Sequence, residues 1–193
     1  MDAIILASSS PRRSELLKQA GIPFSVMPGG VDEEKVELSG TPGQKAEQLA
    51  YLKAMDVAGK VQKGLVLGAD TIVVCGGEIF GKPVDEKDAV KMLESLSGRV
   101  HLVITGIVLA DAESKAVATG HETTRVKFSP ITREDISAYI RTGEPYGKAG
   151  AYAVQGRGAL FVEGIDGCYS NVVGLPLYKL GKMLQEFGIS VIE

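Results

Sequence analysis

Histidine and cysteine are scarce in this 193-residue chain, which carries two of each. Cys75 and Cys168 stand far apart, with no metal-ligand spacing and no partner motif. His101 and His121 both fall in strand-like sequence, which argues against a histidine-rich zinc site and against a Ser-His-Asp triad. Long apolar runs are absent too. No stretch is long enough to span a bilayer and no signal peptide is evident, so a cytoplasmic protein without a membrane partner is expected. Positive charge is not in excess: the net charge is −3 and the pI about 5.5. A general nucleic-acid binder would usually be basic, so nucleic acid is not an expected partner. What remains for hydrolytic chemistry is carboxylates, lysines, arginines and a hard metal ion. Composition is otherwise that of a globular chain, 45% hydrophobic and 23% charged, with length for one good core or two closely fused lobes.

No repeat or linker-like stretch divides the chain, so a single domain over residues 1–193 is expected. The apolar and polar periodicities predict a strand at 3–7 and helices at 11–20 and 42–58. Thr41-Pro42-Gly43-Gln44 reads as a capping box with proline in the first turn. Leu65 to Ala69 and Thr71 to Cys75 read as strand, and Gly76-Gly77 as a hairpin turn into 78–80. Asp85 is placed to cap a helix at 86–96, a long hairpin follows at 100–110 and 116–128, and Thr132 caps a helix at 133–141. Glycine-punctuated strands are expected over 150–165, a last helix from Pro176 to before Gly188, and a short closing strand. Strand–helix alternation around a hairpin-rich middle predicts an α/β fold with a mixed sheet and flanking helices.

Several constellations point to chemistry. Ile4-Ile5-Leu6-Ala7 runs into Ser8-Ser9-Ser10-Pro11-Arg12-Arg13. Pro11 suits the first helical position and Ser10 the N-cap. The first helical turn and two guanidiniums then favour an anion, with phosphate the natural guest. Arg13 shares a face with Leu16 and Leu17, over the end of the sheet; the alternative is a pair of solvated arginines. Lys53 falls within the apolar face Ala46, Leu49, Ala50, Ala54 and Val57. It is either paired or snorkelling to the surface, and both readings stand. Asp70 interrupts an apolar run after Gly68 and reads as a functional acid rather than a turn residue. Glu33 and Glu34 lie in an acidic loop; with Asp70, one of them would complete an oxygen-ligand site for Mg²⁺. Lys82 sits in Gly81-Lys82-Pro83, and residues 143–156 are dense in glycine, either as turns or as backbone packed near a ligand.

This ordered set resembles the Maf family of nucleoside triphosphate pyrophosphatases. The resemblance also rests on Val31-Asp32-Glu33, Gly68-Ala69-Asp70-Thr71, Gly143-Glu144-Pro145, Lys148-Ala149-Gly150-Ala151-Tyr152, Gln155-Gly156 and Asn171-Val172-Val173-Gly174-Leu175-Pro176, and covers nearly the whole chain. It implies a fold like that of inosine triphosphate pyrophosphatases, with an elongated mixed sheet and a central cleft between two lobes. It implies a cytoplasmic, metal-dependent enzyme cutting a nucleoside triphosphate between the α and β phosphates. Asp70 then falls on the proposed base. Arg12, Thr71 and Gln155 fall on positions tied to base preference, in a combination that looks like the dTTP/UTP branch; the 7-methyl-GTP branch is the runner-up. The mechanism expected from both readings has Ser8, Ser10 and Arg13 holding the triphosphate. Lys53 and Lys82 neutralise phosphate charge, with the substrate as the counter-charge of Lys53. Glu33 and Asp70 hold Mg²⁺ or Mn²⁺, and Gln155 reads the base edge. A nucleotide-binding regulator of septum formation is the competing class, and a homodimer is the protein partnership left open.

Overall fold

The computed structural model describes residues 3–192, apart from the side chain of Glu34. Strands β1 (Ile4–Leu6), β2 (Phe24–Val26), β3 (Leu65–Cys75), β4 (Glu78–Phe80), β5 (Val100–Asp111), β6 (Val117–Phe128) and β7 (Val162–Asp166) form one seven-stranded sheet. Its order is β2-β1-β3-β5-β6-β7, with β4 paired to β3 off that path. β1 runs parallel to β2 and β3, whereas β3–β4 and β6–β7 are antiparallel, so the sheet is mixed. The helices are α1 (Pro11–Gln19), α2 (Pro42–Ala58), α3 (Glu86–Leu96), α4 (Arg133–Ile140), α5 (Tyr169–Val173) and α6 (Leu177–Glu186). The fold class expected from the sequence, α/β with a mixed sheet and flanking helices, is the one observed.

The chain divides into two compact units. The first comprises residues 1–70, 105–122 and 174–193. Its core includes Ala50, Ala54, Val57 and Ala58 of α2 against Ala7, Val66, Val108 and Ala110. Thr41 and Gln44 close the capping box at the start of α2. Small residues on its inner face let the helix lie very close to the sheet. A Cβ added at Gly68 would be driven into the Ala50 carbonyl, and one at Gly106 into the backbone of Ala46. The close approach at Gly68 is therefore made by the protein's own helix.

The second unit comprises residues 71–104 and 123–173. Its core gathers Val73, Phe80, Leu93, Leu96, Val126, Phe128, Ile136, Tyr139 and Tyr152. Gly76 and Gly77 have φ of 60° and 86°, the paired positive values that a two-residue hairpin turn favours. The Asp85 and Thr132 side chains cap α3 and α4 as expected. Two expectations are corrected. Residues 150–165 are not a run of strands: 3₁₀ turns at Ala149–Ala151 and Arg157–Phe161 come first, and only β7 is a strand. The glycines there are the physical reason, because they serve contacts that a regular strand would not make; a Cβ at Gly150 would meet Val73 at 2.9 Å. Among the described residues no strand follows α6, whose amphipathic helix gives way to bends. The short strand β2 and the one-turn helix α5 lacked enough periodicity to be predicted.

Candidate functional site

α1 begins at Pro11 with Ser10 in an extended conformation before it, as expected. The Ser10 side chain, however, makes no capping hydrogen bond. Ser8 Oγ instead accepts the Ser10 N–H at 3.2 Å, pulling the serine run into a compact turn. No acid lies in the first turn of α1, so nothing within the helix offsets the positive end of its dipole.

Arg13 is buried on the face it shares with Leu16 and Leu17. Its Nε donates to the Gly174 carbonyl at 2.9 Å and its Nη1 to Ser8 Oγ at 2.9 Å. One guanidinium thus ties the strand–helix junction to Gly174, 161 residues further along the sequence. Burial lowers the Arg13 pKa, Asp70 opposes this, the neighbouring Arg12 charge lowers it further, and Glu33 opposes again. Two adjacent guanidiniums close to two carboxylates make a site of concentrated, unlike charge.

Lys53 projects from the buried face of α2, and its side chain is only 12% exposed. Its Nζ lies 2.6 Å from Asp70 Oδ1 and 2.8 Å from Glu33 Oε1. The snorkelling reading therefore fails. So does the expectation that the counter-charge of Lys53 is the substrate, because two carboxylates of the chain already supply it. Asp70 lies in the middle of β3 and is 5% exposed. The strand continues unbroken through it, so it is not a turn residue. Glu33 reaches in from a short 3₁₀ turn, Glu33–Lys35.

Among the described residues, no group of three or more His, Cys, Asp or Glu is arranged to hold a metal ion. Glu33 and Asp70 nevertheless fit a hard cation of the kind that takes one or two carboxylates and leaves the rest to phosphate and water. Both carboxylates already converge on one positive charge, the Lys53 ammonium.

Thr71, Lys82 and Gln155 belong to the second unit. Thr71 is the one residue of β3 that is not buried. Lys82 is exposed, on a loop held by a hydrogen bond from Gly150 N–H to the Gly81 carbonyl at 3.0 Å and by buried Pro83. Gln155 is exposed in a turn. Residue-by-residue reading missed one feature beside it. Glu144 accepts hydrogen bonds from the Arg157 and Gly158 N–H groups, both at 3.0 Å, and from the Tyr139 hydroxyl at 2.8 Å. The only signal for it was an acid set between Gly143 and Pro145.

A family model described as Maf-like protein matches residues 3–187. A protein of Ruminiclostridium cellulolyticum named dTTP/UTP pyrophosphatase is 58% identical over 193 residues, covering 100% of both chains. One of the same name from Pelotomaculum thermopropionicum is 52% identical over 192 residues, again covering 100% of both. Among solved structures, the Staphylococcus aureus Ham1 protein aligns with 66% of this chain and 72% of its own at 17% identity, with a TM-score of 0.46.

Proposed function

Since this chain belongs to the Maf family, we propose that it hydrolyses dTTP and UTP to the nucleoside monophosphate and pyrophosphate, as a single catalytic domain acting on the cytoplasmic nucleotide pool. The observation that carries the reading is the ionic cluster of Asp70, Lys53 and Glu33 beside Arg13 and the start of α1. A passive anion pocket gains nothing from two carboxylates next to phosphate, whereas a hydrolase needs them.

In this reading the triphosphate docks at the serine turn and the first turn of α1. Ser8, Ser10 and the Arg12–Arg13 pair supply donors and positive charge there. Lys53 shares its ammonium between the carboxylates and the incoming phosphates, and Lys82 contributes a further positive charge. Glu33 and Asp70 would hold Mg²⁺ or Mn²⁺. A divalent cation there would neutralise phosphate charge and polarise the oxygens it binds. Asp70 orients the attacking water and accepts its proton. Its carboxylate is fixed by the 2.6 Å bond to Lys53, so positioning requires no rearrangement. Gln155 offers a donor and an acceptor to the base edge, with Arg12 and Thr71 as further selectors.

The test is pyrophosphate release from a panel of dTTP, UTP, dCTP, dGTP and 7-methyl-GTP with Mg²⁺. Release from dTTP and UTP well above the others is expected. Preferential cleavage of 7-methyl-GTP would contradict the substrate assignment. Tight nucleotide binding with no release from any substrate would favour the regulator.

A further inference from the structure

We propose that Glu144 and Tyr139 form a positioning clamp that presents Gln155, and so govern base selectivity without touching the nucleotide. This rests on reading Gln155 as the residue that meets the base. Gln155 is exposed, and among the described residues no hydrogen bond holds its side chain. Its placement therefore depends on the backbone around it.

That backbone is pinned on both sides. Before Gln155, the Ala153 N–H donates to the Tyr139 hydroxyl oxygen at 3.2 Å. After it, the Arg157 N–H donates to Glu144 Oε2 and the Gly158 N–H to Glu144 Oε1. The two anchors are joined, because the Tyr139 hydroxyl donates to Glu144 Oε1. One carboxylate thus collects three donors, and one phenol links the two ends of the turn.

The clamp is itself rooted. Tyr139 is 4% exposed, lies in α4 and meets the Phe161 ring edge-to-face at 5.1 Å. The Glu144 N–H donates to Thr142 Oγ1, whose hydroxyl donates back to the Tyr139 carbonyl at 2.6 Å. Glycine suits the position after Gln155, because a Cβ on Gly156 would collide with the pinned Glu144 carboxylate. Burial alone would raise the Glu144 pKa, but its hydrogen bonds from Gly158, Arg157 and Tyr139 lower it overall, so the acceptor is ionised at neutral pH.

The experiment uses the full chain with three single variants, Glu144→Gln, Tyr139→Phe and Gln155→Ala, and the double variant Glu144→Gln/Gln155→Ala. Tyr139→Phe keeps the ring contact, so the fold is retained. Steady-state kinetics with dTTP and dCTP give the selectivity ratio in kcat/KM. Glu144→Gln and Tyr139→Phe are expected to lower that ratio about tenfold, the size of one well-made hydrogen bond to substrate. The loss should arise mainly through a raised KM for dTTP. The double variant should lose no more selectivity than Gln155→Ala, since both act through one side chain. Equal loss of kcat/KM for both nucleotides, or an unchanged ratio alongside a selectivity loss in Gln155→Ala, would overturn the clamp. Unchanged selectivity in Gln155→Ala would overturn the base-reading role beneath it, and the clamp's part in selectivity with it.

Discussion

Replacing Lys53 by methionine removes the one ammonium that Asp70 and Glu33 share, while keeping most of the apolar stem. Removing one partner of a fully buried ion pair costs about 3–5 kcal/mol, because the other charge is left uncompensated. Here the side-chain exposures are 12% for Lys53 and 8% for Asp70, but 36% for Glu33. Glu33 can therefore rehydrate, and the Arg13 charge also acts on Asp70. A cost of about 2 kcal/mol follows after that discount. For a chain of this size each kcal/mol moves the melting point by about 2–4 °C, so Lys53→Met should lower it by about 4–8 °C. The assay is thermal unfolding of Lys53→Met, Asp70→Asn and the double variant at neutral pH. The double variant should be at least about 1 kcal/mol more stable than the separate losses added together, since the uncompensated charge is gone. An unchanged melting point in Lys53→Met, with strictly additive effects, would refute the shared-charge account.

His101 is almost fully buried, bonded to the Tyr152 hydroxyl at 2.8 Å, and burial lowers its pKa from 6.5 to about 4. The unfolded chain binds this proton near pH 6.5 and the folded one only near pH 4. Its contribution is thus intact above pH 6.5, and about 3 kcal/mol is lost as the pH falls to 4. Denaturant midpoints across that range should show the slope, and His101→Phe should flatten it; an equally steep slope in the variant would assign it elsewhere. Gly68→Ala places a methyl against the Ala50 carbonyl and should cost about 1–3 kcal/mol while slowing pyrophosphate release, because α2 carries Lys53. A wild-type melting point in that variant would contradict the close packing. Chelation with EDTA should stop pyrophosphate release and added Mg²⁺ or Mn²⁺ should restore it, measured by coupled phosphate detection; full activity in EDTA would remove the metal from Glu33 and Asp70.

The periodic elements were legible because local chemistry and tertiary demand agreed. α2 has a capping box at one end and a small-residue face along its length, and all of the predicted inner residues are buried. The Asp85 and Thr132 caps worked for the same reason. Residues 150–165 were misread because their glycines answer to distant partners, Val73 and the Glu144 carboxylate, which no local pattern encodes. The site was half legible. A lysine in an apolar face and an aspartate in an apolar strand each signalled an unmet electrostatic need. That they meet each other depends on how closely α2 approaches β3, a tertiary distance that neither local pattern encodes. The double duty of Arg13, binding Ser8 and Gly174, likewise spans a sequence distance no motif scan covers.

The central claim is that Asp70 directs water to the α phosphorus of a pyrimidine triphosphate. Hydrolysis of dTTP in ¹⁸O-labelled water, read by mass spectrometry of both products, tests it most directly. The account predicts one labelled oxygen in dTMP, none in pyrophosphate, and loss of both products in a folded Asp70→Asn variant. Label in the pyrophosphate, or undiminished turnover by Asp70→Asn, would contradict it.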